Sequence, residues 1–201
     1  MGREVKALLE VAEALGNLRA PFYFAGGWAI DLHLGRVTRD HHDIDALVMR
    51  RDHLLLHKAL KQFSLKKIIP HPDGKPPNRG AIVEWPAGER LELPVHQINA
   101  YRTGESELAF QVMLAESRGS DWIFRRNPDV SMPISKMGFH PLWGLPYLAP
   151  EIVLLFKAKH LEARDRVDFD HAIPALSADA RQWLRDAIEK THPGHEWLKV
   201  L

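Results

Sequence analysis

The chain has 201 residues, 45% hydrophobic and 26% charged, an ordinary globular composition that supports a packed core and argues against a disordered chain. Its formal net charge is +1 and its basic residues fall in isolated doublets such as Arg50-Arg51 and Arg125-Arg126, so a broad nucleic-acid-binding surface is not expected. There are no cysteines, which excludes disulfides, thiolate metal sites and cysteine nucleophiles.

In chain order, Val5, Leu8, Leu9, Ala12 and Leu15 recur at helical spacing, with Gly16 as the expected stop. Pro21 opens a short apolar run, Phe22 to Ala25, that reads as a buried strand. Gly26-Gly27 follows, then a short helix from Trp28 to Leu34 closed by Gly35. A polar connection, Arg36 to His42, leads into a second strand, Asp43 to Val48. Helical periodicity resumes from Leu54 to Phe63, and Leu65 to Ile69 is strand-like. His71 to Gly80, rich in proline and glycine, reads as a loop. Ala81 to Trp85 and Arg90 to Ile98 read as a hairpin around Pro86-Ala87-Gly88-Glu89. Further strands are expected at Glu107 to Leu114 and Trp122 to Arg125. Beyond Pro150 the pattern turns helical, over Glu151 to Ala163 and Ser177 to Lys190, with Ser177 as N-cap. The early residues carry charge and no apolar leader, and no apolar run approaches bilayer length. A soluble, cytoplasmic protein without a membrane partner is the expectation.

Two features carry chemistry. A diglycine turn between a strand and a helix leaves bare backbone N–H groups at the positive end of a helix dipole, where an anion is favoured. By itself a Gly-Gly is more often only a tight turn. Asp43 and Asp45, one residue apart on a strand, present two carboxylates to one side while Ile44 faces the core. Such a pair repels unless a cation lies between, and magnesium takes hard oxygen ligands while leaving positions for phosphate. Together they are the parts needed for a nucleoside triphosphate and its magnesium ions. Glu92, alternating with Leu91 and Leu93 on a presumed strand, is the candidate base for an acceptor hydroxyl, with Glu84 its competitor. His53 and His57, four apart on a helix, have Leu54 where a metalloprotease needs its glutamate, and His192 and His195, in a Pro-Gly turn, have no clear third ligand, so a zinc site is not expected. Trp85, Tyr101, Trp122 and Trp143 are expected mainly as packing groups.

The runs Gly26-Gly27-Trp28-Ala29-Ile30-Asp31, Leu34-Gly35-Arg36 and Thr38-Arg39-Asp40-His41-His42-Asp43-Ile44-Asp45 resemble the aminoglycoside 2''-nucleotidyltransferase and lincosamide nucleotidyltransferase group of the DNA polymerase β-like superfamily. Gly144 to Asp168-Phe169 resembles the helical part of such proteins more loosely. The resemblance implies an α+β nucleotidyltransferase fold, with a small mixed sheet flanked by helices over residues 1–147 and a helical section over 148–201. It implies ATP or another nucleoside triphosphate, two magnesium ions held by Asp43, Asp45 and Glu92, and triphosphate contacts from Gly26, Gly27, Arg39, His41 and Lys157. The implied activity is transfer of a nucleoside monophosphate, AMP in the first instance, to a hydroxyl of a small molecule such as an antibiotic. Such an enzyme confers antibiotic resistance. Glu84, Glu89, Glu92, Glu105, Glu107 and Glu116 are the acids from which a pocket for a polycationic acceptor would be built. Two alternatives stand beside this reading: a non-catalytic nucleotide-binding module of toxin–antitoxin type, and a nucleotidyltransferase acting on a protein or tRNA.

Overall fold

The computed structural model describes residues 2–71, 80–142, 144–159 and 162–201. The core of the expected Pro-rich loop (72–79), Trp143, and residues 160–161 of the expected helix Glu151 to Ala163 lie outside the described residues. The helices are α1 (Arg3–Gly16), α2 (Gly26–Leu34), α3 (Leu55–Ala59), α4 (Pro150–Lys157), α5 (Ala163–Ala172) and α6 (Ala178–Thr191). The strands are β1 (Phe22–Phe24), β2 (Asp45–Met49), β3 (Phe63–Ile69), β4 (Ala81–Glu84), β5 (Gln97–Arg102), β6 (Leu108–Arg118), β7 (Asp121–Ile123), β8 (Ser131–Pro133), β9 (Gly138–Phe139) and β10 (Tyr147–Leu148). Among the described residues no helix is long and apolar enough to cross a membrane.

The chain divides into two units: Met1–Phe22 with His42–Glu116, and Tyr23–His41 with Ser117–Leu201. The first carries the strand order β4-β3-β5-β6-β2. Strand β3 is antiparallel to β4 and β5, β5 is antiparallel to β6, and β6 runs parallel to β2. Alternation along the strands separates the two faces of this sheet. Ala46, Val48, Ile98, Ala100, Val112 and Leu114 make one face apolar and buried. The opposite face carries Asp45, Gln111, Asn99, Lys66 and Glu84 in one cross-strand row.

Two expectations fail here. Residues 81–85 and 90–98 form no hairpin: β4 pairs with β3, and an irregular segment crosses to β5, which starts only at Gln97. Pro86 and Pro94 lack the N–H a ladder needs, and Trp85 and Leu91 are buried instead of alternating with a solvent face. The helix expected over Leu54 to Phe63 shrinks to α3, because Phe63 belongs to β3 and packs edge-on against Phe110 at 5.2 Å.

In the second unit β10 lies between β1, parallel to it, and β9, antiparallel to it, while β7 and β8 form a separate pair. Helix α2 packs against α4 and α5, and α4 against α6. Ile30, Leu148, Ile152, Leu155, Leu184 and Ile188 are fully buried in this core. The expected boundary at residue 147 falls inside this unit. Ser177 caps α6 as expected, accepting the Ala180 N–H at 3.2 Å. Trp122 is buried among Phe124, Phe156 and Trp183.

Candidate active site

The diglycine turn belongs to the second unit. Ala25 is extended, Gly26 adopts φ +60°, and the chain then enters α2. A residue with a Cβ is strained at that φ, so the first glycine is a backbone requirement. Gly27 is needed for a different reason: a Cβ there would collide with Arg39 Nη2 and come within 2.7 Å of His41 Nδ1. Two nitrogen-bearing side chains therefore press against the turn itself. Ala25 offers no side chain to cap the first N–H groups of α2, which keep their anion-seeking character.

Buried carboxylates fix those two side chains. Asp31, one helical turn beyond Gly27 and only 3% exposed, accepts from Thr38 Oγ1 (2.5 Å), Thr38 N (3.2 Å) and His41 Nε2 (2.6 Å). His41 also stacks on Trp28 at 4.3 Å. Arg39 grips Asp168 of α5 with Nε (2.8 Å) and Nη2 (2.9 Å), and gives Nη1 to Asp40 O. Lys157 of α4 bonds Asp165 (2.6 Å) and Asp168 (2.8 Å). Burial pushes the Asp168 carboxyl upward, but hydrogen bonds from Arg39 and the charge of Lys157 outweigh it, so the group stays below the ordinary carboxylate range. Lys157 is thus tied to Arg39 through a shared, fully buried carboxylate, and its ammonium is engaged by two acids.

The aspartate pair belongs to the first unit. Strand β2 begins at Asp45, two residues later than expected. Ile44 O nevertheless accepts the Gln111 N–H at 2.9 Å, so alternation already holds: Ile44 is buried, Asp43 exposed and Asp45 half-buried. Beside Asp45 on its face stand amides. Gln97 Nε2 donates to Asn99 Oδ1 (3.0 Å) and Gln111 Oε1 (2.9 Å), and Asn99 Nδ2 donates to Tyr101 Oη (3.2 Å). Among the described residues no three His, Asp or Glu side chains gather as a metal site. The two aspartates supply hard oxygen donors of the kind magnesium takes, with further positions left for water and phosphate.

The structure does not bring Glu92 to this face. It is exposed on the irregular crossing, whose flanks are bolted to Arg50. Arg50 Nη1 donates to Leu91 O (2.9 Å) and Val95 O (2.8 Å), while Nε and Nη2 grip Glu116. His53 Nε2 accepts the Leu91 N–H at 2.9 Å. Arg50 leaves β2 at the end opposite Asp45, roughly 16 Å along the strand. Glu84 does share the Asp45 face, but it lies four strand spacings away, roughly 19 Å, and pairs with Lys66 at 3.0 Å. Neither glutamate stands beside Asp45.

Sequence reasoning gives no role to Asp31, Asp165, Asp168 or the amide row. Helical spacing from Gly27 to Asp31 and from Asp165 to Asp168 was the available signal for the acids. The amides follow only from strand register, which periodicity does not specify between distant strands.

A family profile described as aminoglycoside-2''-adenylyltransferase matches residues 7–71. Curated 2''-aminoglycoside nucleotidyltransferases of Klebsiella pneumoniae and Escherichia coli are 45% identical over 42 residues, 21% of this chain. The match spans about a quarter, 24%, of the length of those relatives. The structure of ANT(2'')-Ia with adenylyl-2''-tobramycin superimposes with TM-score 0.61 at 16% identity, covering 94% of this chain and 99% of the other. The lincomycin-bound lincosamide antibiotic adenylyltransferase LnuA gives TM-score 0.56 at 16% identity, covering 85% and 97%. The chain has the α+β fold of these nucleotidyltransferases.

Proposed function

We propose that the chain is a magnesium-dependent nucleotidyltransferase that moves a nucleoside monophosphate, AMP first, onto a hydroxyl of a small molecule, aminoglycoside and lincosamide antibiotics being the first acceptors to test. The observation that carries this reading is the segment from Gly26 to Asp45. It combines a capless helix start, two side chains held against Gly27 by buried acids, and an aspartate pair, and it lies within the matched family region. On this reading the backbone N–H groups of Gly26 and Gly27 and the Arg39 guanidinium receive the triphosphate's negative charge. His41 completes that contact, and Lys157 acts through Asp168 on Arg39. Asp43 and Asp45 would hold magnesium, which would supply charge neutralisation on the phosphate oxygens when bound. The acceptor oxygen bonds to the α-phosphorus, the bond to pyrophosphate breaks, and the hydroxyl proton passes to water.

One observation favours a second reading. The neighbours of Asp45 on its sheet face are amides and not a third carboxylate, which suits a module that binds nucleotide without transferring it. Incubation with each labelled nucleoside triphosphate, magnesium and an antibiotic panel, with pyrophosphate release measured, separates the two. Release that depends on an acceptor supports transfer. Magnesium-dependent binding without release across the panel rejects transfer to that class.

A further inference from the structure

We infer that Arg125, Arg126 and Lys159 form a second anion site, apart from the diglycine turn, and that it takes a short phosphate chain such as pyrophosphate. The inference rests on this cluster alone and holds whether or not the chain transfers a nucleotide.

Arg125 and Arg126 follow β7 in the tight loop that returns the chain to β8. Backbone bonds pin that loop: the Phe124 N–H donates to Val130 O at 2.9 Å and the Asn127 N–H to Phe124 O at 3.0 Å. Asn127 Nδ2 also fastens it to Lys190 O of α6 at 3.4 Å. The two cations are thereby presented together. Both guanidiniums lie over one ring, Phe156 of α4, at 5.9 Å and 5.2 Å, and Arg126 also reaches the Phe124 ring at 5.9 Å. Lys159 follows the C-terminal end of α4, two residues beyond Lys157. All three belong to the second unit.

Helix capping does not account for three charges. The C-terminal end of a helix carries only about half a unit of negative charge. Its last carbonyls are already occupied, since Arg126 Nη1 donates to Phe156 O at 2.9 Å and His195 Nε2 to Ala158 O at 3.0 Å. Lys157 is a different case, because Asp165 and Asp168 neutralise it. Around Arg126 and Lys159 the acting charges are cations. Partial burial and then repulsion from Arg125 lower the Arg126 guanidinium to about 10. Burial, with Arg126 and Arg125 as the repelling neighbours, likewise lowers the Lys159 ammonium. An anion seated among them relieves this repulsion. A monovalent ion leaves most of the charge uncompensated, whereas a phosphate chain brings two or more negative charges and oxygens that match guanidinium forks. The near-neutral chain favours a small ligand over a polynucleotide.

The test is an NMR titration of the full chain with sodium pyrophosphate, without divalent metal and at fixed ionic strength. It follows the Nε–H signals of Arg125 and Arg126 and the backbone amide of Lys159. These signals should shift together and saturate, and sodium chloride at matched ionic strength should not reproduce the shift. Arg126→Gln should weaken pyrophosphate binding by about tenfold, and Lys159→Gln by about threefold. Without ligand, Lys159→Gln should leave Tm unchanged or raise it, because it removes a repelling charge. A lower Tm with unchanged pyrophosphate affinity in that variant would mean capping alone and overturns the inference. So does a titration in which the three signals stay in place while those of Gly27 and Arg39 move, or in which a single-stranded oligonucleotide binds the cluster more tightly than pyrophosphate. Magnesium-ATP binding, read separately from the Gly27 amide, bears on nucleotidyl transfer; its failure with the cluster shifts intact sinks that reading alone.

Discussion

At the residue scale, Asp45 and Asp168 are the two acids whose removal should have opposite signatures. On the proposed reading, Asp45→Asn should lower kcat by about a hundredfold or more while leaving the unfolding transition in place, because the group is half-buried and its charge would serve the metal. Glu92→Gln should change kcat by less than about threefold, against the hundredfold or more expected of a general base. Steady-state rates of both variants check this pair of statements. Asp168→Asn should destabilise the fold by about 3–5 kcal/mol at neutral pH, since Arg39 and Lys157 would lose their shared counter-charge. The sign with pH follows from its depressed folded value. The contribution of Asp168 is fully present above its unfolded value near 3.8 and is lost as pH falls through the lower folded value. Urea melts of wild type and variant should therefore converge in strong acid and separate toward neutrality.

At the element scale, the crossing from β4 to β5 is held by Arg50 together with His53. Arg50→Ala removes donors to Leu91 O and Val95 O and leaves Glu116 without its cation. Amide exchange across residues 91–96 should then accelerate by about tenfold or more, while β6 amides such as Val112 keep their protection. This crossing was the least legible element. Its apolar residues alternate as a strand would, yet Leu91 answers to His53 and Arg50, thirty-eight and forty-one residues away. By contrast α1, α2 with its Gly35 stop, β1, β2 and the Ser177 cap are local consequences of spacing and end residues, and they stood in the letters. Helix α5 was hidden by its charges, since a charge-rich decapeptide shows no apolar stripe when Asp165 and Asp168 share its buried face with Phe169 and Ala172. The diglycine segment and the aspartate pair were legible as motifs. Their supports at Asp31 and Asp168 were not, because a buried carboxylate looks like a surface one until its partner is known.

At the scale of the whole molecule, a near-neutral net charge gives little long-range attraction for a triphosphate, so affinity must come from local groups. Magnesium-ATP at a hundred times its Kd should stabilise the chain by about 2.7 kcal/mol, read as a rise in Tm that chelation of the metal abolishes. An equal rise without metal would remove Asp43 and Asp45 from nucleotide binding.

The grip of Arg39 on Asp168 closes a loop of 129 residues. During synthesis the cation emerges long before its anchor, and a polypeptide halted ahead of α5 would carry the glycine bend with an undirected arginine. On the proposed reading, ribosome-released fragments lacking α5 should bind nucleotide poorly even where their early strands have formed, so the emergence of α5 is what directs the arginine.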